Sequence, residues 1–186
     1  MSTLSNTIPR ASPSPAIIVP SKPDALTISY SQLSTQILSF QEKLANLGIT
    51  EGDAVSLALP NSFEFIVAFL ASSWQRGIVA PLNPSYKQDE FEFYIEDLKS
   101  AIVLVPRGSF EKNVPAVRAA RKFCAAIGEC YWDSQKAQVE LDIKDYGRLR
   151  EKAAERLQNA QPDNVALVLH TSGTTGRPKA VCQTLA

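Results

Sequence analysis

The sequence predicts an α/β fold, a parallel sheet wrapped by helices. Two observations carry that expectation. Short apolar runs at 55–59, 78–80, 101–105 and 165–170 alternate with longer stretches whose apolar residues recur at helical spacing, and such alternation is the pattern of a sheet built through crossovers. The run Ala101-Ile102-Val103-Leu104-Val105 is apolar throughout, as a strand covered on both faces must be.

Taken in order, residues 1–23 are rich in Ser and Pro and contain no acid. Five prolines oppose a helix, so the segment reads as an extended arm before a domain at 24–186. Arg10 and Lys22 without acids faintly resemble a mitochondrial transit peptide, but the prolines oppose the amphipathic helix it needs, and nothing matches a secretory signal. Residues 16–19 are expected as an edge strand. A first helix is expected over 30–47, where Ser29 and Gln32 form a capping box and Gly48 supplies the stop. Its residues Leu33, Ile37, Phe40, Leu44 and Leu47 share one face. After the strand at 55–59, Asn61 with Glu64 is expected to cap a second helix over 62–76, nearly encircled by apolar residues and therefore buried. The strand at 78–80 leads through a turn-rich connector at 83–86 to a third helix over 88–99, with Phe91, Ile95 and Leu98 on one side. The strand at 101–105 precedes a fourth helix expected over 111–127, carrying Val117, Phe123, Cys124 and Ile127, and then a strand at 130–132. The charged stretch 144–164 reads as a solvated helix or linker before the last buried strand at 165–170.

The 186 residues suffice for one domain, and 45% hydrophobic with 20% charged content is ordinary for a globular chain. Basic and acidic residues number 19 each, so no basic field points to nucleic acid, and no apolar run is long enough for a membrane span. Cys124, Cys130 and Cys182 form no C-x-x-C pair and are odd in number, which suggests reduced thiols in an intracellular compartment. With one histidine, His170, and thiols six residues apart, no metal site is expected.

The last strand delivers Thr171-Ser172-Gly173-Thr174-Thr175-Gly176-Arg177-Pro178-Lys179. Glycines let the backbone approach a ligand closely, successive N–H groups in such a turn can form an anion-binding concavity, and hydroxyls add donors. Lys179 adds a compact charge suited to phosphate. The spacing is neither the P-loop nor the dinucleotide fingerprint. By composition alone, an exposed polar turn fits as well as a polyphosphate cradle. His170, just before the string, reads as a strand-end side chain rather than a general base, and Asp89 with Glu90 as first-turn helix residues rather than catalytic acids.

The string resembles, residue for residue, the phosphate-loop signature T-S-G-T-T-G-x-P-K of the adenylate-forming superfamily, which includes acyl-CoA synthetases, luciferases and peptide-synthetase adenylation domains. Upstream, Leu26 to Leu33 resembles its L-T-Y-x-x-L stretch, Leu47 to Val55 its L-G-x-x-x-G-D-x-V, and Pro81-Leu82-Asn83-Pro84-Ser85-Tyr86 its P-L-N-P-x-Y. The resemblance spans about residues 16–182 and is most similar to the peroxisomal CoA-synthetase/oxalate–CoA ligase branch.

That resemblance implies a partial N-terminal domain of the adenylate-forming fold. It implies an acid–CoA ligase, in which a carboxylate attacks the α-phosphorus of ATP, pyrophosphate leaves, and coenzyme A takes the acyl group from the adenylate. ATP, Mg2+ and coenzyme A are the implied cofactors, and a carboxylic acid the implied partner. Thr171, Ser172, Gly173, Thr174, Thr175, Gly176 and Lys179 are the implied phosphate contacts; no catalytic residue is expected in this chain. The family's ribose-binding aspartate, metal-binding glutamate and C-terminal catalytic lysine have no counterpart in these 186 residues, so the chain by itself is expected to be inactive. The 165–170 strand is expected to lack later neighbours and to expose a sheet edge, favouring association with a full-length relative or with chaperones. A cytoplasmic or peroxisomal location is implied, although Thr184-Leu185-Ala186 is not an S-K-L type address. The competing readings are a non-catalytic nucleotide-binding or interaction module, a truncated gene product without independent function, and an unrelated α/β domain whose loop is a mere turn.

Overall fold

A computed structural model describes residues 7–20, 25–149, 157, 161–171 and 178–184. Two strands, β1 (Pro15–Val19) and β2 (Leu26–Ser29), pair antiparallel as a small sheet, and Ile17 and Val19 pack against the main core. The remaining elements run α1 (Tyr30–Asn46), β3 (Ala54–Leu57), α2 (Phe63–Trp74), β4 (Ile78–Pro81), α3 (Gln88–Leu98), β5 (Ile102–Pro106), α4 (Pro115–Lys122), β6 (Ala126–Asp133), β7 (Gln138–Asp145), β8 (Val165–Thr171) and β9 (Lys179–Thr184). Seven of the strands form one sheet in the order β7-β6-β5-β3-β4-β8-β9. The inner five are mutually parallel; β7 and β9 are antiparallel additions at the two edges. The predicted α/β architecture is therefore present.

Continuous apolar strands work here because both faces are covered. Val55, Leu57, Val79, Ile102 and Leu104 join Ile37, Phe40, Leu44 and Val67 in the core under α1 and α2. Val103, Val105 and Ile127 join Phe91, Ile95 and Val117 under α3 and α4. No helix among the described residues is long and apolar enough to cross a membrane.

The local signals act with specific differences. Ser29 accepts from the Gln32 amide, and Gln32 Oε1 accepts from the Ser29 amide at 2.8 Å, the predicted capping box. The second helix is capped by Ser62, which accepts from the Phe65 amide, and not by Asn61 with Glu64. Glu64 is drawn away to accept the Trp132 amide of β6 at 3.0 Å. The fourth helix covers only Pro115–Lys122 rather than 111–127. Pro115 fixes its first turn, Cys124 turns out of it at φ 54°, and Ile127 is fully buried in the sheet. Burying one isoleucine is worth about 2 kcal/mol, more than helix propensity gains over those few residues. Strand β7 was not foreseen, although Val139, Leu141 and Ile143 alternate with polar residues across it.

The two sheet edges differ. Along β7, Gln36 of α1 accepts the Val139 amide at 2.9 Å and donates to the Ala137 carbonyl at 2.8 Å, and Lys43 donates to the Val139 carbonyl. Side chains of α1 thus occupy groups that a further strand would need. The expectation for strand 165–170 is corrected: β8 is flanked on both sides, by β4 and by β9. All six residues of β9 are exposed, so the open edge lies there.

Candidate functional site

Parallel pairing places the carboxyl ends of β6, β5, β3, β4 and β8 along one margin of the sheet. After β3 the chain passes to α2 on one face; after β4 it passes to α3 on the other. Neighbouring strands that exit to opposite faces leave a crevice beyond their ends, the usual ligand position in open α/β sheets. A groove of about 410 Å³ lies there, lined by Leu59, Pro60, Asn61 and Phe65 after β3 and by Pro81, Leu82, Asn83 and Pro84 after β4.

Strand β8 is the next strand along that margin, with Leu167 paired to Val79 of β4. It ends at Thr171, which stands opposite Lys179, the first residue of β9. Opposed residues of an antiparallel pair project from the same face with Cβ atoms about 4.5–5.5 Å apart. The Thr171 hydroxyl donates to the Lys179 carbonyl at 3.4 Å. Both residues are exposed, and among the described residues no carboxylate pairs with Lys179. A hydroxyl and an exposed ammonium thus stand at the two strand ends that flank residues 172–178. Of the predicted phosphate contacts, Ser172, Gly173, Thr174, Thr175 and Gly176 lie outside the described residues.

The face of β8 opposite Thr171 carries His170. Its side chain is 5% exposed, and Nε2–H donates to Asp97 Oδ2 of α3 at 2.9 Å. An ionised carboxylate only accepts, so Nε2 carries the proton in this contact. The imidazole leans on the Tyr94 ring at 4.7 Å and meets Phe93 edge-on at 6.2 Å. Burial, then a hydrogen bond with Tyr86, raises the Tyr94 phenol above its ordinary value, so that neighbour stays neutral. His170 is accordingly tied down at a strand end, as its position suggested. The Asp97 and Tyr94 partners were not foreseen, because 73 residues separate Asp97 from His170 and no local pattern links them.

Glu90 accepts the Lys87 amide at 2.8 Å, a helix-start role rather than an acid–base one. Cys124 and Cys182 are exposed and Cys130 is buried, all three as free thiols. Among the described residues no cluster of three or more His, Cys, Asp or Glu side chains is arranged to hold a metal ion.

With this geometry in hand, comparison with known proteins is specific. The family model described as AMP-binding enzyme matches residues 9–186. An oxalate–CoA ligase of Saccharomyces cerevisiae is 36% identical over 89% of the chain and 34% of its own length. An oxalate–CoA ligase of Arabidopsis thaliana is 38% identical over 74% of the chain and 26% of its own length. The chain thus spans about a third or less of these relatives. Among solved structures, the O-succinylbenzoate coenzyme A synthetase of Bacillus subtilis in complex with AMP aligns at a TM-score of 0.67, covering 96% of this chain and 41% of its own at 24% identity. Apo MatB from Rhodopseudomonas palustris aligns at 0.69, covering 91% of this chain and 32% of its own, also at 24% identity. These structures share the fold. The chain belongs to the AMP-binding enzyme family.

Proposed function

We propose that the chain supplies the triphosphate-holding part of an acid–CoA ligase. Thr171, Ser172, Gly173, Thr174, Thr175, Gly176 and Lys179 hold the β- and γ-phosphates of ATP during adenylation of a carboxylic acid, before transfer to coenzyme A. The observation that carries this reading is the neck of the hairpin. Thr171 and Lys179 face each other at the carboxyl margin of the parallel strands, beside the groove at the ends of β3 and β4. An exposed ammonium there offers charge-assisted contacts to a polyphosphate. Donors so placed stabilise charge on departing pyrophosphate without reorganising.

Magnesium accompanies the nucleotide in this proposal. An ion of this kind is carried mainly by phosphate oxygens and water. What is proposed of this chain, which spans about a third of the yeast relative, is the holding of the triphosphate.

Calorimetric titration of the purified chain with MgATP, tripolyphosphate and adenosine tests this. Binding of the first two, none of adenosine, and about tenfold weaker binding in Lys179→Ala are expected, as for the loss of one charge-assisted contact. Affinity unchanged in Lys179→Ala, or no binding of tripolyphosphate, contradicts the proposal.

A further inference from the structure

We propose that His170 is a positioning residue: through Asp97 it pins the neck of the phosphate-holding hairpin to helix α3. This rests on the triphosphate reading above and goes further, to what sets the loop's place relative to the sheet.

On the β4 side, the register pairing stops short of the neck. Strands β3 and β4 share four register pairs, whereas β4 and β8 share one, Val79 with Leu167. Pro81, two residues past Val79, has no N–H with which to extend that ladder. Leu169, His170 and Thr171 therefore run beyond the pairing with β4 while remaining paired with β9. Left at that, the β8–β9 end would be a two-stranded ribbon joined to the sheet behind it, and an isolated two-stranded hairpin is marginal in water.

His170 lies in this unpaired stretch. Its buried ring packs on Tyr94 and Phe93, and its Nε2–H reaches the Asp97 carboxylate. All three partners belong to α3, which lies on the face opposite Thr171. His170 directly precedes Thr171 and stands opposite Ala180, the residue after Lys179. One side chain on β8, paired through β9, thus holds both stalks of the hairpin against α3. Anchoring stalks in advance lowers the ordering cost of binding. Packing alone calls only for an aromatic ring at position 170; the hydrogen bond to Asp97 is the directional part.

The test uses the whole 186-residue chain, with three variants and three measurements. His170→Phe keeps the ring packing and removes the donor. His170→Gln keeps a donor that can reach Asp97. Asp97→Ala removes the half-exposed acceptor. Affinity for MgATP and tripolyphosphate is read by calorimetry, amide exchange at 169–171 and 179–181 by NMR without ligand, and Tm by calorimetric melting. Expected are affinity losses of about two- to fivefold in His170→Phe and Asp97→Ala, the scale of one partly screened polar contact. Faster exchange at the neck, nearly unchanged Tm in Asp97→Ala, and near-wild-type affinity in His170→Gln are also expected. The inference is overturned if the wild type binds and both His170→Phe and Asp97→Ala bind as tightly, whether or not exchange quickens. It is overturned equally if His170→Gln is no better than His170→Phe. Absence of binding by the wild-type chain removes the triphosphate reading itself, and this inference with it.

Discussion

The long connection from β7 to β8 is pinned by a buried amide, and Gln41→Met measures that pin. Gln41 is 2% exposed on α1. Its Nε2 donates to the Trp74 carbonyl at 3.1 Å, to the Leu157 carbonyl at 2.8 Å, and lies 3.2 Å from Gln75 Oε1. Gln75 Oε1 in turn accepts the Leu157 amide at 3.1 Å. The Trp74 carbonyl ends α2, among the last four that no helical amide can reach. Methionine is close in shape but offers no donor, so two carbonyls lose this partner. Each orphaned buried group costs about 1–3 kcal/mol, the half-buried Leu157 carbonyl at the lower end. A gain of about 1 kcal/mol from the more apolar side chain partly offsets this, leaving a net loss of about 1–3 kcal/mol. For a chain of this size that lowers Tm by about 2–12 °C. Urea unfolding followed by circular dichroism should show a lower midpoint with an unchanged slope. A cycle with Gln75→Met should show coupling of at least about 0.5 kcal/mol, because the two amides share Leu157. A loss below about 0.5 kcal/mol, or full additivity, refutes the reasoning.

Two further outcomes follow from single environments. Burial pushes the Cys130 thiol well above its ordinary value, while Cys124 and Cys182 are exposed; a thiol-selective disulfide reagent should modify only Cys124 and Cys182 in the folded chain, and early labelling of Cys130 contradicts the burial. The hydrogen bond from Lys43, opposed by burial and aided by Lys136, holds the Glu140 carboxyl below its ordinary value. A carboxyl lowered on folding adds stability above its unfolded pKa of about 4.3 and loses it as pH falls through the folded value. Wild type should therefore exceed Glu140→Gln in stability at pH 7, with the gap closing under acid; a gap constant from pH 7 to pH 3 refutes that assignment.

Much of the layout was legible because it rests on local signals. Ser29 and Gln32 sit three apart and cap α1 as that spacing requires. The uninterrupted apolar run through Ala101 and Val105 declared a strand covered on both faces, and β5 is one. The misreadings fall where a distant partner decides. Glu64 would have capped its own helix had the Trp132 amide not claimed it. Residues 123–127 carry a helix-compatible pattern, yet Ile127 is worth more inside the sheet. The alternation of Val139, Leu141 and Ile143 is a strand signal that could have revealed β7. At the candidate site, Thr171 and Lys179 were picked out by a contiguous string. The Asp97 tether to His170 exists only once the fold brings α3 to the end of β8.

On the proposed function, a polyphosphate sits on the hairpin between β8 and β9. The most direct measurement of this is a titration of 15N-labelled chain with magnesium tripolyphosphate, followed by amide chemical shifts. The largest changes are expected at Thr171, through 172–177, and at Lys179, with α1 and the β6–β7 hairpin unmoved. Saturable shifts centred on any other part of the chain, or none at all, contradict the account.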